Sequence, residues 1–104
     1  MQVRVLDSAA LGEGEVIAAQ VEDRSMALYR SEGEVFATAN ICTHQFALMS
    51  DGYFDGACIE CPLHQALFDI RTGAVVEGPA TVPLETYPVE ERDGGIFVTI
   101  EPSE

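Results

Sequence analysis

Two short motifs, Cys42-Thr43-His44 and Cys61-Pro62-Leu63-His64, constrain the fold of this chain more than any other feature. They contain both of its histidines and two of its three cysteines. Each offers one soft thiolate and one imidazole. A single cysteine is usually a small buried hydrophobe, but a repeated mixed pair points to a metal site. Any fold that uses all four side chains must bring two loops to one place.

The rest of the sequence favours strands to carry those loops. Short alternating segments separated by Gly, Asp and Pro dominate, the pattern of an all-β domain. The predicted strands are Val3–Leu6, Glu15–Val21, Met26–Arg30, Glu34–Ala39, Ala57–Glu60, Ala66–Ile70, Ala74–Val76, Glu85–Glu90 and Gly95–Glu101. In the last, Ile96, Val98 and Ile100 face one way and Phe97 and Thr99 the other. Arg92-Asp93-Gly94-Gly95 and Ser31-Glu32-Gly33 read as hairpin turns. The only helical hint is a single turn over Phe46-Ala47-Leu48-Met49. The segment from Met49 to Gly56 holds two Asp-Gly dipeptides and is expected to reverse the chain, laying the second ligand loop beside the first. At 104 residues the whole chain, 1–104, is expected to be one domain, with the metal at its tip.

Charge narrows the partners. Eighteen acidic residues stand against five arginines and no lysine, a net charge of −13. Nucleic acid and anionic membranes are disfavoured, since both call for a basic surface. Between Ser31 and Ile70 lie Glu32, Glu34, Asp51, Asp55, Glu60 and Asp69, with no Lys or Arg. Such a stretch either solubilises the surface or guides a basic partner toward it. The segment Met1–Glu15 has no apolar signal region. The longest uncharged run, Val35–Ser50, is too polar and short to span a bilayer. A soluble, cytoplasmic protein is expected, and with it reduced thiols.

Two metals suit two cysteines and two histidines. Zinc fingers usually group thiolates in one pair and imidazoles in the other, whereas here both pairs are mixed. Mixing suits a two-iron cluster in which each loop gives its Cys to the inner iron and its His to the outer one. Cys58-Ile59-Glu60-Cys61 has the spacing of a redox or zinc thiol pair. On an extended Ala57–Glu60, however, Cys58 and Cys61 point to opposite faces, and Cys58 is expected to be a packed bystander. A zinc-binding interaction module remains the alternative at this point.

Cys42-Thr43-His44, Ser50-Asp51-Gly52, Gly56, Cys61-Pro62-Leu63-His64-Gln65, Phe68-Asp69, Thr72-Gly73, Gly78-Pro79-Ala80, Pro83-Leu84 and Tyr87-Pro88-Val89 together resemble the Rieske-type ferredoxins of bacterial aromatic-ring dioxygenases. The resemblance runs nearly end to end. Gln45-Phe46 departs from it, since a small residue is common after the first His; this bears on packing around His44.

The resemblance implies an all-β Rieske fold of stacked antiparallel sheets, with a small cluster-binding subdomain at about 40–80. It implies one [2Fe-2S] cluster, with Cys42 and Cys61 on the inner iron and His44 and His64 on the outer. It further implies that Gly78-Pro79-Ala80 covers the cluster as a third loop. The implied partners are an NAD(P)H-dependent ferredoxin reductase and a terminal oxygenase, with single electrons passing between them and no catalysis by this chain. The small subunit of a nitrite reductase is the competing assignment. An oxygenase catalytic subunit would need additional residues for a mononuclear iron. Respiratory Rieske proteins carry a disulfide and hydroxyl donors where this chain has Ala47, Leu63, Ala66 and Phe68. A potential at the low end of the roughly −150 to +300 mV range is therefore expected.

Overall fold

The computed structural model describes residues 1–43, 47–63 and 65–100. Among these residues, eleven strands form three antiparallel sheets. In chain order they are β1 (Gln2–Asp7), β2 (Val16–Val21), β3 (Arg24–Ser31), β4 (Glu34–Ala39), β5 (Tyr53–Phe54), β6 (Cys58–Glu60), β7 (Leu67–Asp69), β8 (Val75–Glu77), β9 (Thr86–Tyr87), β10 (Val89–Arg92) and β11 (Gly95–Thr99). The first sheet has the order β1-β11-β10, the second β2-β3-β4-β9 and the third β5-β6-β7-β8. Among the described residues the only helical elements are 3-10 turns at Ser8–Ala10 and Met49–Asp51. None is long and apolar enough to cross a membrane.

The second sheet lies in the middle, and β3 shows why. Met26 and Leu28 join one buried cluster with Ile96, Val98 and Ile100. Ala27 and Tyr29, on the opposite face by strand alternation, join another with Ile59, Phe68 and Ile70. A strand covered on both faces reads as a continuous apolar run, as Met26-Ala27-Leu28-Tyr29 does. The stacked all-β architecture expected from the sequence is thus the one found.

The local turn chemistry also holds. Glu32-Gly33 has φ values of 54° and 80°, and Asp93-Gly94 has 52° and 72°. Positive φ at both central positions is the type I′ geometry that matches strand twist. Ser31 pairs with Glu34 and Arg92 with Gly95 across these two turns.

Three expectations need correction. The single strand Glu85–Glu90 is two: β9 pairs with β4, and β10 pairs with β11. Pro88 lies between them and has no N–H for a ladder, though its carbonyl accepts from Thr99 at 2.9 Å. The chain changes sheets there. The connector Met49–Gly56 is not all turn, because Tyr53–Phe54 pairs with β6. The helical turn begins at Met49, three residues later than expected, and Leu48 is extended in a bridge to Ile41. Phe46, the start of that predicted turn, and Glu101, the end of the last predicted strand, lie outside the described residues.

Candidate metal centre

Two loops at one end of the second and third sheets carry the paired motifs. The first leaves β4 through Asn40 and returns at Met49. Its legs are joined by the Ile41–Leu48 bridge and by the Cys42 N–H, which donates to the Ala47 carbonyl at 2.9 Å. The second joins β6 to β7, and the Cys61 N–H donates to the Ala66 carbonyl at 2.8 Å. In both, the bond runs from the cysteine to the residue five further on. The chain therefore closes two loops of the same size, each with its cysteine on the outgoing leg.

Both cysteines end up buried, Cys42 at 5% exposure and Cys61 at 1%. They belong to one contiguous core cluster with Ala47, Ala66, Phe68 and Ala80. No disulfide joins any of the three cysteines. Burial in apolar surroundings is costly for a bare thiolate but suits one bound to a cationic metal centre. This donor set fits an iron–sulfur cluster. His44 and His64 lie outside the described residues, together with Gln45 and Phe46. Among the described residues no three His, Cys, Asp or Glu side chains are grouped closely enough to hold a metal.

A third segment, from Gly78 to Leu84, closes over this end. Ala80 is buried in the same cluster as the two thiols, as is Leu84. The Thr43 hydroxyl donates to the Val82 carbonyl at 2.6 Å, tying the segment to the first loop. Its far end is seated by the Leu84 N–H, which donates to the Gly73 carbonyl at 2.8 Å. Gly73 has φ of +78°, and a Cβ there would lie 2.0 Å from the Leu84 carbonyl oxygen. Only glycine suits that approach.

The hydroxyls near this core are occupied elsewhere. The Tyr29 hydroxyl is 2.8 Å from Thr38 Oγ1, which in turn donates to the Ala39 carbonyl at 2.9 Å. Burial pushes the Tyr29 hydroxyl well above its ordinary pKa, so it stays protonated. Ala66 and Phe68 are fully buried and contribute no hydroxyl. Leu63, by contrast, is 53% exposed and Val82 56%, so the tip has an apolar rim.

Cys58 stands apart from this core, as its strand position implies. It is half-buried in β6, opposite Asp69 of β7, while Ile59 and Cys61 are fully buried. Burial, with Asp55 and Asp69 nearby, pushes its thiol pKa up. Asp55 itself is held below the usual carboxylate range by the N–H groups of Cys58 and Ala57.

The acidic stretch is mostly surface: Glu32, Glu34, Asp51 and Asp55 are exposed, and Glu60 and Asp69 are half-buried. Arginines do little to offset it, because Arg4, Arg30, Arg71 and Arg92 all have carboxylate partners. Sequence reasoning overlooked two polar residues: Asn40, which braces the first of these loops, and Arg30, which ties the far end of β3 to the first sheet. An Asn two residues before a ligand cysteine was the available signal for the first; nothing local marks the second.

Comparison with known proteins follows the same line. The Rieske [2Fe-2S] domain family matches residues 1–88. The ferredoxin component of a naphthalene 1,2-dioxygenase system from Pseudomonas putida is 48% identical over 103 residues, spanning 96% of this chain and 99% of that one. Among solved structures, the Sphingomonas yanoikuyae B1 ferredoxin superposes with a TM-score of 0.92 at 41% identity, covering 97% of this chain and 100% of that chain. A chain in the complex of reduced oxygenase and oxidized ferredoxin of carbazole 1,9a-dioxygenase gives 0.87 at 34% identity, covering 93% and 91%. A putative nitrite reductase small subunit gives 0.81 at 22% identity over 96% and 99%, which is a likeness of fold alone.

Proposed function

The chain belongs to the Rieske [2Fe-2S] domain family, and from that premise we propose that it is the ferredoxin of a ring-hydroxylating dioxygenase system. It takes single electrons from an NAD(P)H-dependent reductase and delivers them to a terminal oxygenase. The bound iron–sulfur cluster supplies a one-electron couple, and catalysis on the aromatic substrate belongs to the oxygenase. Cys42 and Cys61 would hold one iron of the cluster, and His44 and His64 the other. The observation that carries the assignment is the pair of equally sized loops whose cysteines enter one buried core.

What this chain's residues do follows from their surroundings. Cys42 and Cys61 would bind as thiolates and offset cationic iron, and their buried, apolar surroundings keep water from that side of the site. With neutral imidazoles, two ferric ions, two sulfides and two thiolates would sum to zero, so one electron would add a single negative charge. The reduced form gains no hydroxyl donor from Ala66 or Phe68, and the Tyr29 and Thr43 hydroxyls are committed to Thr38 and Val82. Together with the acidic surface, this supports a reduction potential at the low end of the Rieske range. The exposed rim of Leu63 and Val82 gives a partner apolar surface to desolvate at the end that carries the two loops.

The test is an optical and EPR spectrum of the purified protein with iron and sulfide analysis. Two irons, two sulfides and a Rieske-type EPR signal are expected; a colourless zinc protein would refute the proposal. Cys42→Ser and Cys61→Ser should each abolish the cluster, while Cys58→Ser should retain it. Loss on Cys58→Ser with retention on Cys61→Ser would overturn the ligand assignment.

A further inference from the structure

The two ligand loops are closed by the same cysteine-to-carbonyl bond but are held at their bases in different ways. The second stands on a continuous ladder, since Glu60 pairs with Leu67 and Ile59 with Phe68 directly below Cys61. The first has a single bridge beneath it, Ile41–Leu48, and its ladder stops there. One leg continues into β4, and the other runs into the 3-10 turn Met49–Asp51.

Asn40 spans that gap. Its carbonyl accepts from the Met49 N–H at 2.6 Å, and its side-chain Oδ1 accepts from the Ser50 N–H at 2.8 Å. Its own N–H donates to the Ser25 carbonyl at 2.9 Å, and its Nδ2 donates to Ser25 Oγ at 3.0 Å. The residue is 1% exposed. One amide side chain therefore connects the start of β3 to the returning leg of the first ligand loop. Removing it would strip the buried partner from the Ser50 N–H and free the returning leg relative to β3.

We propose that Asn40 is a positioning residue for the metal centre: its side chain clamps the base of the 41–48 loop and so fixes Cys42 relative to Cys61. The clamp stands where the second loop's ladder continues and the first loop's stops after one bridge. This rests on Cys42 being a cluster ligand, as proposed above.

The experiment compares the rate at which a strong iron chelator bleaches the oxidised holoprotein, together with the EPR line shape after reduction. Asn40→Ala should accelerate bleaching by about tenfold, the factor carried by one buried hydrogen bond at the upper end of its usual strength. It should also broaden the EPR lines through a spread of loop geometries. Asn40→Asp keeps an acceptor for the Ser50 N–H, and the Ser25 hydroxyl can turn to donate to it. It should return the rate to within about twofold of the parent protein.

A general loss of stability is controlled by Val98→Ala, which opens the other core cluster, away from the two thiols. It should lower the melting temperature without faster bleaching below it. If Asn40→Ala does not fold, Ser25→Ala removes only the Nδ2 partner and should accelerate bleaching by about threefold. The proposal fails if Asn40→Ala, or Ser25→Ala in its place, bleaches like the parent protein. It also fails if Val98→Ala bleaches as fast as Asn40→Ala at an equal loss of melting temperature. Retention of the cluster in Cys42→Ser would instead overturn the ligand assignment, whatever Asn40→Ala does.

Discussion

Arg30 directs every nitrogen of its guanidinium into the fold. Nε donates to the Leu11 carbonyl at 2.7 Å, and Nη1 and Nη2 donate to the carbonyls of Gly33 and Ser8. The same two nitrogens also grip the Glu91 carboxylate at 3.1 and 2.6 Å. An exposed ion pair contributes little, but here one planar cation joins the first and second sheets. Arg30→Ala should cost about 2 kcal/mol, the order expected for losing charge-assisted bonds, measured as a lower urea midpoint with unchanged slope. Arg30 also holds the Glu91 carboxyl below its usual range. The unfolded chain then binds more protons as pH falls, so this contribution is present above the ordinary carboxylate pKa and lost as pH drops through the folded value. Between about pH 5 and pH 3, the thermal stability of Glu91→Gln should fall less steeply than that of the parent protein. At the centre itself, Phe68→Tyr and Ala66→Ser each introduce a hydroxyl into the buried cluster. If that hydroxyl donates to a sulfur, about 1 kcal/mol of preference for the reduced state raises the potential by about 40 mV. Tyr29→Phe should leave the potential unmoved, because that hydroxyl is paired with Thr38.

Elements differ in how far their own residues explain them. The hairpins β3–β4 and β10–β11 are encoded by their turns, since Glu32-Gly33 and Asp93-Gly94 carry the positive φ values that type I′ demands. The segment Thr86–Arg92 is not locally explained. Its alternation continues through Pro88, yet its two halves belong to different sheets, β9 to the second and β10 to the first. Periodicity reports which face is buried but not which strand lies alongside. The covering segment depends on a contact at a distance, the meeting of Gly73 with Leu84. Gly73→Ala combines a left-handed backbone with a 2.0 Å collision against a carbonyl. It should destabilise the protein by about 2 kcal/mol and loosen Ala80 from the core, seen as a lower melting temperature and faster cluster loss.

For the whole molecule, the net charge of −13 is the dominant long-range term. An oxidised cluster held by two thiolates, as proposed, would leave that charge unchanged, because the thiolates and a dicationic iron–sulfide core cancel. With four arginines paired to carboxylates of the same chain, the long-range field a partner meets is dominated by acids. Electron delivery in a reconstituted chain should slow as ionic strength rises over the range where the screening length shrinks from about 10 Å to about 3 Å. A rate independent of salt would leave the acidity as a solubilising feature only.

Period-two burial, type I′ turns and the spacing of Cys42-Thr43-His44 and Cys61-Pro62-Leu63-His64 depend on neighbours in the chain, so the amino-acid sequence alone determined the all-β class, most strands and the candidate ligands. Strand ends held to within one or two residues, apart from the split at Pro88 and the unforeseen β5. The tertiary structure decided what depends on distant partners: the sheet each strand joins, the burial of Cys42 with Cys61, and the Arg30–Glu91 grip. It also decided that Asn40 bridges Ser25 and Ser50. A side chain's chemistry is written in the sequence, but its hydrogen-bond partner is set by which remote backbone the folded chain brings within about 3 Å.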